Sequence, residues 1–145
     1  MSINGVESLL SKLDRLGVNS EVVLYKSLQK QGELVKSEAK TLCPVAQKKG
    51  GDLRDSIRRS TKRYKGKIVA RVYTNSDHAA YVEFGTGMRG EASNTNSNVE
   101  VAYKQDWSGM EAQPYLYPAL KNNEGKIIEN IKDELKKAIR EVVRR

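Results

Sequence analysis

Apolar residues near the C-terminus repeat at alternating intervals of three and four. The repeat consists of Ile128, Ile131, Leu135, Ala138 and Val142. This spacing places every member on one face of an α-helix, so we predict a long C-terminal helix with a single apolar seam. Barely two heptads are present, which leaves two uses for the seam, packing on the protein's own sheet or a coiled coil. Packing within the subunit is the preferred interpretation.

Two more helices are predicted in the N-terminal third of the chain. Apolar residues recur at helical spacing in residues 6–16 and again in residues 24–42. Asn19 or Ser20 can cap the second helix, because both side chains accept hydrogen bonds from free backbone amides. Pro44 ends it, since proline has no amide donor and disfavours helical geometry in the preceding residue.

The middle of the chain has the signature of strands. Residues 56–63 and 67–74 flank a glycine-bearing connection of hairpin length, Tyr64-Lys65-Gly66. Alternating residues at 99–103 indicate a further strand. We therefore predict an α+β fold in which a small antiparallel β-sheet packs with the N-terminal helices and the long C-terminal helix. The length of 145 residues favours one domain over residues 1–145, with a mobile polar loop at about 88–110.

The positive charge is concentrated in one stretch of the chain. Residues 48–71 contain ten basic residues and two acidic ones, which accounts for the whole formal net charge of +8. A local basic surface that faces phosphate or an acidic partner is one interpretation, and a solvated basic hairpin is the other. Tyr64 and Tyr73 lie near this stretch, as aromatic residues often do in nucleic-acid surfaces.

Two patterns resemble chemical sites but lack the context that such sites need. The segment Gly85-Thr86-Gly87-Met88-Arg89-Gly90 has the spacing of a dinucleotide fingerprint, yet a polar stretch follows it where a helix is required. Asp77, His78 and Glu83 have no second histidine or acid cluster to complete a metal site. Asp77 is better interpreted as the cap of a short helix that begins near Ala79. We expect no catalytic residue, no cofactor and no metal.

The single cysteine and single histidine restrict the chain further. Cys43 has no partner for an internal disulfide, and one histidine cannot assemble a Cys/His zinc cluster. A buried apolar role is therefore expected for Cys43. No apolar run is long enough to cross a bilayer, and residues 1–7 lack the features of a signal peptide, so we expect a protein of the host cytoplasm with no membrane partner.

Three segments together resemble the tail-completion or head-tail joining family of long-tailed bacteriophages. They are Gly51-Asp52-Leu53-Arg54-Asp55-Ser56-Ile57, then His78-Ala79-Ala80-Tyr81-Val82-Glu83-Phe84-Gly85-Thr86-Gly87, then Gln113-Pro114-Tyr115-Leu116-Tyr117-Pro118-Ala119-Leu120. The second segment is the most specific. The residues that carry the motif are Glu83, Phe84, Gly85, Thr86, Gly87, Pro114 and Pro118. The polar stretch 88–110 departs from the family in length.

The resemblance implies a structural subunit of the virion neck. Such a subunit forms an oligomeric ring, commonly six-fold, between the head adaptor or portal ring and the tail terminator or tail tube protein, and DNA passes through its lumen. It is free in the host cytoplasm before assembly. Nothing in the resemblance implies catalysis.

Two surfaces are candidates for contacts in such a particle. The basic set would face DNA or an acidic face of a neighbouring ring, and consists of Arg54, Arg58, Arg59, Lys62 and Arg63. The polar loop would order against a neighbouring ring, and its candidate contacts are Arg89, Glu91, Asn94, Asn96 and Asn98.

Two other classes of protein stay open. A soluble, sequence-nonspecific DNA-binding phage protein is suggested by the charge alone, although it leaves the three segments unexplained. A nuclease that uses His78 is the third possibility, and its activity would be lost in His78→Ala.

Overall fold

A computed structural model describes residues 5–15, 17, 19–45, 50–85 and 110–144 of the chain. The described residues form five helices and one two-stranded sheet. In chain order these are α1 (Val6–Arg15), α2 (Ser20–Leu42), α3 (Asp52–Ser56), β1 (Arg58–Tyr64), β2 (Lys67–Tyr73), α4 (Ala79–Phe84) and α5 (Leu116–Val143). The predicted α+β fold is confirmed. The predicted strand at 99–103 lies outside the described residues.

Helix α2 begins and ends where local chemistry dictates. The Asn19 side chain accepts a hydrogen bond from the amide of Val22 at 3.4 Å, which makes Asn19 the cap. Ser20 is buried and donates instead to the Asp14 carboxylate at 2.9 Å. The helix ends at Leu42, immediately before Cys43 and Pro44.

The first strand begins later than predicted, at Arg58 rather than residue 56. One turn of helix, α3, occupies residues 52–56 and buries Leu53. This helix is too short to show a periodic apolar pattern, so the sequence alone did not indicate it. The hairpin turn consists of Lys65 and Gly66, with φ of 46° and 73°. Two consecutive positive φ angles define the type I′ turn, whose twist matches that of the strands it joins.

Helix α4 forms as predicted, but the predicted cap is wrong. His78 occupies the N-cap position, and no side chain hydrogen-bonds the first amides. The amide of Ala79 is instead bonded to the carbonyl of Ser76 at 3.1 Å, in a backbone turn. Since backbone groups close this helix start, Asp77 has no capping role.

Helix α5 confirms the predicted long C-terminal helix. Its buried face differs in part from the predicted apolar seam. Every fourth residue is buried, namely Ala119, Asn123, Ile127, Ile131 and Leu135. Ile131 and Leu135 of the predicted seam are buried, whereas Ile128, Ala138 and Val142 are only half-buried. The polar Asn123 belongs to the buried row, and an apolar pattern alone does not detect it. None of the described helices is both long and apolar enough to span a membrane.

The described residues fall into two compact units. The first contains Met1–Leu34, Arg59–Arg71 and Asn122–Arg145. In it α2 contacts both the hairpin and α5. The Tyr25 hydroxyl donates to the carbonyl of Thr61 at 3.0 Å. On the α5 side, the Asn130 amide donates to the Gln31 side chain at 2.9 Å.

The second unit contains Val35–Arg58 and Val72–Lys121. Its core is apolar except for one acidic residue, Glu83, which is 7% exposed. The apolar members are Val35, Ala39, Cys43, Leu53, Ile57, Tyr115 and Ala119. A buried carboxylate is costly unless hydrogen bonds compensate it, so the partners of Glu83 explain its position.

Candidate functional site

The carboxylate of Glu83 caps the N-terminus of α5. Its Oε2 accepts hydrogen bonds from the amides of Tyr115 at 2.8 Å and Leu116 at 2.9 Å, and its Oε1 accepts one from Tyr117 at 2.9 Å. These amides have no acceptor within the helix, and the positive end of the helix dipole favours an anion there. Glu83 therefore joins two of the three family-like segments.

The surrounding backbone holds the same two segments together. The amide of Gln113 donates to the carbonyl of Val82 at 2.8 Å. Gly85 ends α4 with φ of 72°, a conformation that favours glycine. Its amide bonds the carbonyl of Tyr81 at 2.8 Å. Together these bonds fix the end of α4 beside the start of α5.

The other motif residues have different environments. Phe84 is half-buried at the last position of α4, and Pro114 is exposed just before α5. Pro118 lies in the first turn of α5, where its missing amide costs no helical hydrogen bond. Thr86 and Gly87 lie outside the described residues.

Cys43 and Tyr115 are buried beside this cap. Burial raises the pKa of the Cys43 thiol, and the Glu83 carboxylate adds to the effect while Arg54 opposes it. Burial also raises the pKa of Tyr115, with Cys43 and Glu83 contributing. The Tyr115 hydroxyl is buried without a hydrogen-bond partner among the described residues. The expected buried role of Cys43 is confirmed.

His78 is exposed at the start of α4, with Asp77 beside it, whereas Glu83 is buried and committed to the cap. Within the described ranges no three metal-ligating side chains come together. The residues suggested for a nuclease therefore have separate structural roles.

The hairpin turn decides on which face each basic side chain lies. A two-residue turn places Tyr64 opposite Lys67, so the pairs Lys62 with Val69 and Ser60 with Arg71 follow. Successive side chains of a strand alternate between the two faces of the sheet. The predicted basic set is consequently divided between them.

One face of the hairpin packs on α2, and its bases are paired. Arg59 Nε lies 2.5 Å from the Glu33 carboxylate, and Arg63 Nε lies 2.6 Å from that of Glu21. The Arg63 guanidinium also lies over the ring of Tyr25, 4.5 Å from its centroid. Acids of α2 therefore offset the charge of Arg59 and Arg63.

The opposite side, here called the outward hairpin face, carries bases without acids. Its residues are Ser60, Lys62, Tyr64, Lys67, Val69 and Arg71. The three basic side chains are exposed, and Tyr64 is 63% exposed. No ion pair with Lys62, Lys67 or Arg71 exists within the described part of the chain.

The remaining predicted residues are bonded elsewhere, although alternation places Arg58 on the same side of β1 as Ser60 and Lys62. Arg54 lies on α3 with Nε 3.6 Å from the Asp55 carboxylate. Arg58, at the start of β1, donates to the backbone carbonyls of Asp55 and Ile57. The predicted loop contacts Arg89, Glu91, Asn94, Asn96 and Asn98 lie outside the described residues.

Two features of the site were missed from sequence. Lys67 and Arg71 were counted in the charged stretch but not assigned to the surface, although period-two alternation from the turn identifies them. The capping role of Glu83 had no local signal, because its partners lie 32 to 34 positions away.

Comparison with known protein families gives a match. The family model described as "Bacteriophage HK97-gp10, putative tail-component" matches residues 7–85, more than half of the chain. No curated protein and no solved structure matches the chain. The matched region includes the first of the three family-like segments and the second as far as Gly85, and the resemblance to a phage tail-completion family is confirmed. The chain belongs to the HK97-gp10-like family of bacteriophage tail components.

Proposed function

We propose that this protein is a non-enzymatic structural subunit of the phage neck. It assembles as an oligomeric ring of six copies that joins the head connector, portal or adaptor, to the tail terminator or tail tube. DNA passes through the lumen of the ring. Family membership supports a structural role in the tail, and the three family-like segments support the neck position.

The Glu83 cap is the observation that carries this proposal. It brings the Tyr-Val-Glu-Phe-Gly segment and the Pro-Tyr-Leu-Tyr-Pro segment together as one structural element. The second of these segments lies beyond the region that the family model matches. The contact therefore supports treating both segments as parts of one tail-completion unit.

Exposed apolar side chains on α5 supply a candidate contact between copies. Tyr117 is 66% exposed and Leu120 is 40% exposed. Residues three apart lie on the same face of a helix, so the two form one apolar patch. A neighbouring copy that covers this patch with a different surface makes a head-to-tail contact, and such contacts form a ring when the rotation between subunits closes.

The segment that contains Arg89, Glu91, Asn94, Asn96 and Asn98 is assigned to contacts with the adjacent ring. Its charged and amide side chains offer hydrogen-bond donors and acceptors to a neighbouring subunit. Deletion of residues 92–98 should weaken head-tail joining and leave the fold intact. An unstable deletion variant, or one that joins normally, contradicts this assignment.

Electron microscopy of lysates tests the neck function directly. The parent phage with this gene disrupted should give filled heads beside separate, finished tails. Resupplying the gene from a plasmid should restore joined particles and serves as the control. Normally joined particles without the gene product contradict the proposal.

A soluble, sequence-nonspecific DNA-binding phage protein is the second candidate. The outward hairpin face favours it, because an exposed basic surface without acids suits phosphate. The two candidates differ in where the protein is found. A stoichiometric band in purified particles supports the neck subunit, whereas absence from particles together with submicromolar duplex binding supports the soluble protein.

A further inference from the structure

We propose that the outward hairpin face contacts the phosphate backbone of duplex DNA through Lys62, Lys67 and Arg71, without reading sequence. Its place in the particle rests on the proposed neck function. The charge and exposure of the face do not depend on that function, because they follow from side chains that the hairpin itself positions.

The charge of the outward hairpin face is available to a ligand. All three bases are exposed, and none is paired with an acid in the described residues. Arg59 and Arg63, on the other face of the same strands, are held by Glu33 and Glu21. The hairpin therefore separates bases that stabilise its packing on α2 from bases that remain available to a ligand.

The three bases form a row along the hairpin. Lys62 is opposite Val69, which lies midway between Lys67 and Arg71 on β2. The three charges therefore follow one another at about 7 Å along the hairpin, given a rise of about 3.4 Å per residue. No two bases are directly opposite, which avoids the closest repulsion. Duplex DNA carries one charge per about 1.7 Å of its axis, so such a row can contact several phosphates.

Phosphate suits this face better than a second copy of the chain does. Outside residues 48–71 the chain has equal numbers of basic and acidic residues, so a second copy offers no net acidic complement. Lysine is depleted in protein interfaces generally, whereas protein–DNA interfaces are strongly positive. Ser60 and Tyr64 add hydroxyl groups, which also serve as phosphate contacts.

Fluorescence anisotropy with the full chain and a labelled duplex of about 30 base pairs tests the proposal. The variant Lys62→Gln/Lys67→Gln/Arg71→Gln removes the three contacts. We expect a loss of affinity of at least about tenfold at about 50 mM salt, and a plot of log K against log salt that is shallower by about 2.7, since each phosphate contact contributes about 0.9. Two duplexes of unrelated sequence should bind the wild type equally.

A matched control separates this surface from total charge. The variant Lys126→Gln/Lys136→Gln/Arg140→Gln removes two lysines and one arginine at exposed positions of α5. Its affinity should stay within about twofold of wild type, because these residues make no proposed phosphate contact. An equal loss in both variants overturns the proposal, since net charge alone would then explain binding.

Two more measurements keep the result decisive. The charge-preserving variant Lys62→Arg/Lys67→Arg/Arg71→Lys should bind within about threefold of wild type, because phosphate contact depends mainly on charge. Wild-type binding with a salt slope shallower than about −2 contradicts three phosphate contacts, whether or not the glutamine variant folds. If the wild-type chain does not bind duplex but captures an acidic neck protein in a salt-sensitive manner, the face binds protein and the proposal is overturned.

The two proposals fail in distinguishable ways. If the hairpin variant loses duplex binding while gene disruption gives normally joined particles, the DNA surface is retained and the neck function is rejected. If gene disruption gives separate heads and tails while the hairpin variant binds duplex as the wild type does, the neck function is retained and the DNA surface is rejected.

Discussion

Glu83 Oε1 accepts a hydrogen bond from the amide of Tyr117 at 2.9 Å, although the two residues are 34 positions apart. The other carboxylate oxygen accepts from the two preceding amides. A helix cap usually comes from a residue adjacent to the helix, but here it comes from the preceding helix in the chain. The start of α5 therefore depends on correct folding of α4.

Replacing Glu83 should destabilise the protein strongly. Glu83→Ala leaves three backbone amides without their acceptor, and we expect the free energy of unfolding to fall by about 2–4 kcal/mol. Glu83→Gln keeps one acceptor oxygen and should cost less. Urea unfolding followed by circular dichroism measures both variants. Glu141→Ala, at an exposed position of α5, is the control, and an equally small loss in all three variants contradicts the capping role.

Stability should decline at alkaline pH because of Cys43 and Tyr115. Their pKa values are raised in the folded protein above the ordinary 9.0 and 10.0, chiefly by burial. The folded state thus favours the protonated forms, and this stabilisation is complete below about pH 9 and is lost as the pH rises toward the raised values. The urea midpoint between about pH 7 and pH 11 measures the effect.

The variant Cys43→Ala/Tyr115→Phe removes the two groups whose pKa values burial raises. Its urea midpoint should fall less steeply above about pH 9, whatever its stability at neutral pH. The slope is the relevant quantity, since Cys43→Ala also changes packing. Parallel curves for the variant and the wild type contradict the assignment of the alkaline decline to these two residues.

Gly32 is a site where a small side chain should stabilise the protein. It is buried within α2, and a Cβ atom there would lie 3.6 Å from Arg59 Cδ and 3.8 Å from Ala70 Cβ, ordinary contact distances. Gly32→Ala should raise the free energy of unfolding by about 0.5–1 kcal/mol through helix propensity. Gly32→Leu does not fit this space and should lower it. If the alanine variant is less stable than wild type, the hairpin packs more tightly on α2 than these distances show.

The patch formed by Tyr117 and Leu120 should matter for assembly and not for folding. Both side chains are exposed in the subunit, so Tyr117→Ser/Leu120→Ser should change the thermal midpoint little. Incorporation into particles, measured by quantitative blotting after complementation, should fall several-fold. Val143→Ser, at a side chain that is 73% exposed, is the control. Normal incorporation of the double variant contradicts the proposed contact between copies.

Local signals allowed most of the fold to be predicted from sequence. Asn19 and Pro44 act on their immediate neighbours, so the start and the end of α2 could be predicted from local sequence. In α5 the buried row runs in steps of four through Asn123 and Ile127, whereas the prediction followed steps of three and four and therefore placed Ile128 in the seam. The Glu83 cap was not predictable, since the hydrogen bonds that hold this acid in the core come from residues distant in sequence. The basic stretch was recognised by composition, but composition carries no information on which face each residue occupies.

The hairpin turn at Lys65 and Gly66 also determines which basic side chains lie on which face of the hairpin. Because side chains alternate along a strand, inserting one residue in β1 would exchange its two faces. Lys62 would turn toward the acids of α2, and Arg59 and Arg63 would turn to solvent. Length changes in β1 are therefore tolerable only in steps of two, or at the turn itself, and this constraint should appear as a parity rule in hairpin lengths among related tail components.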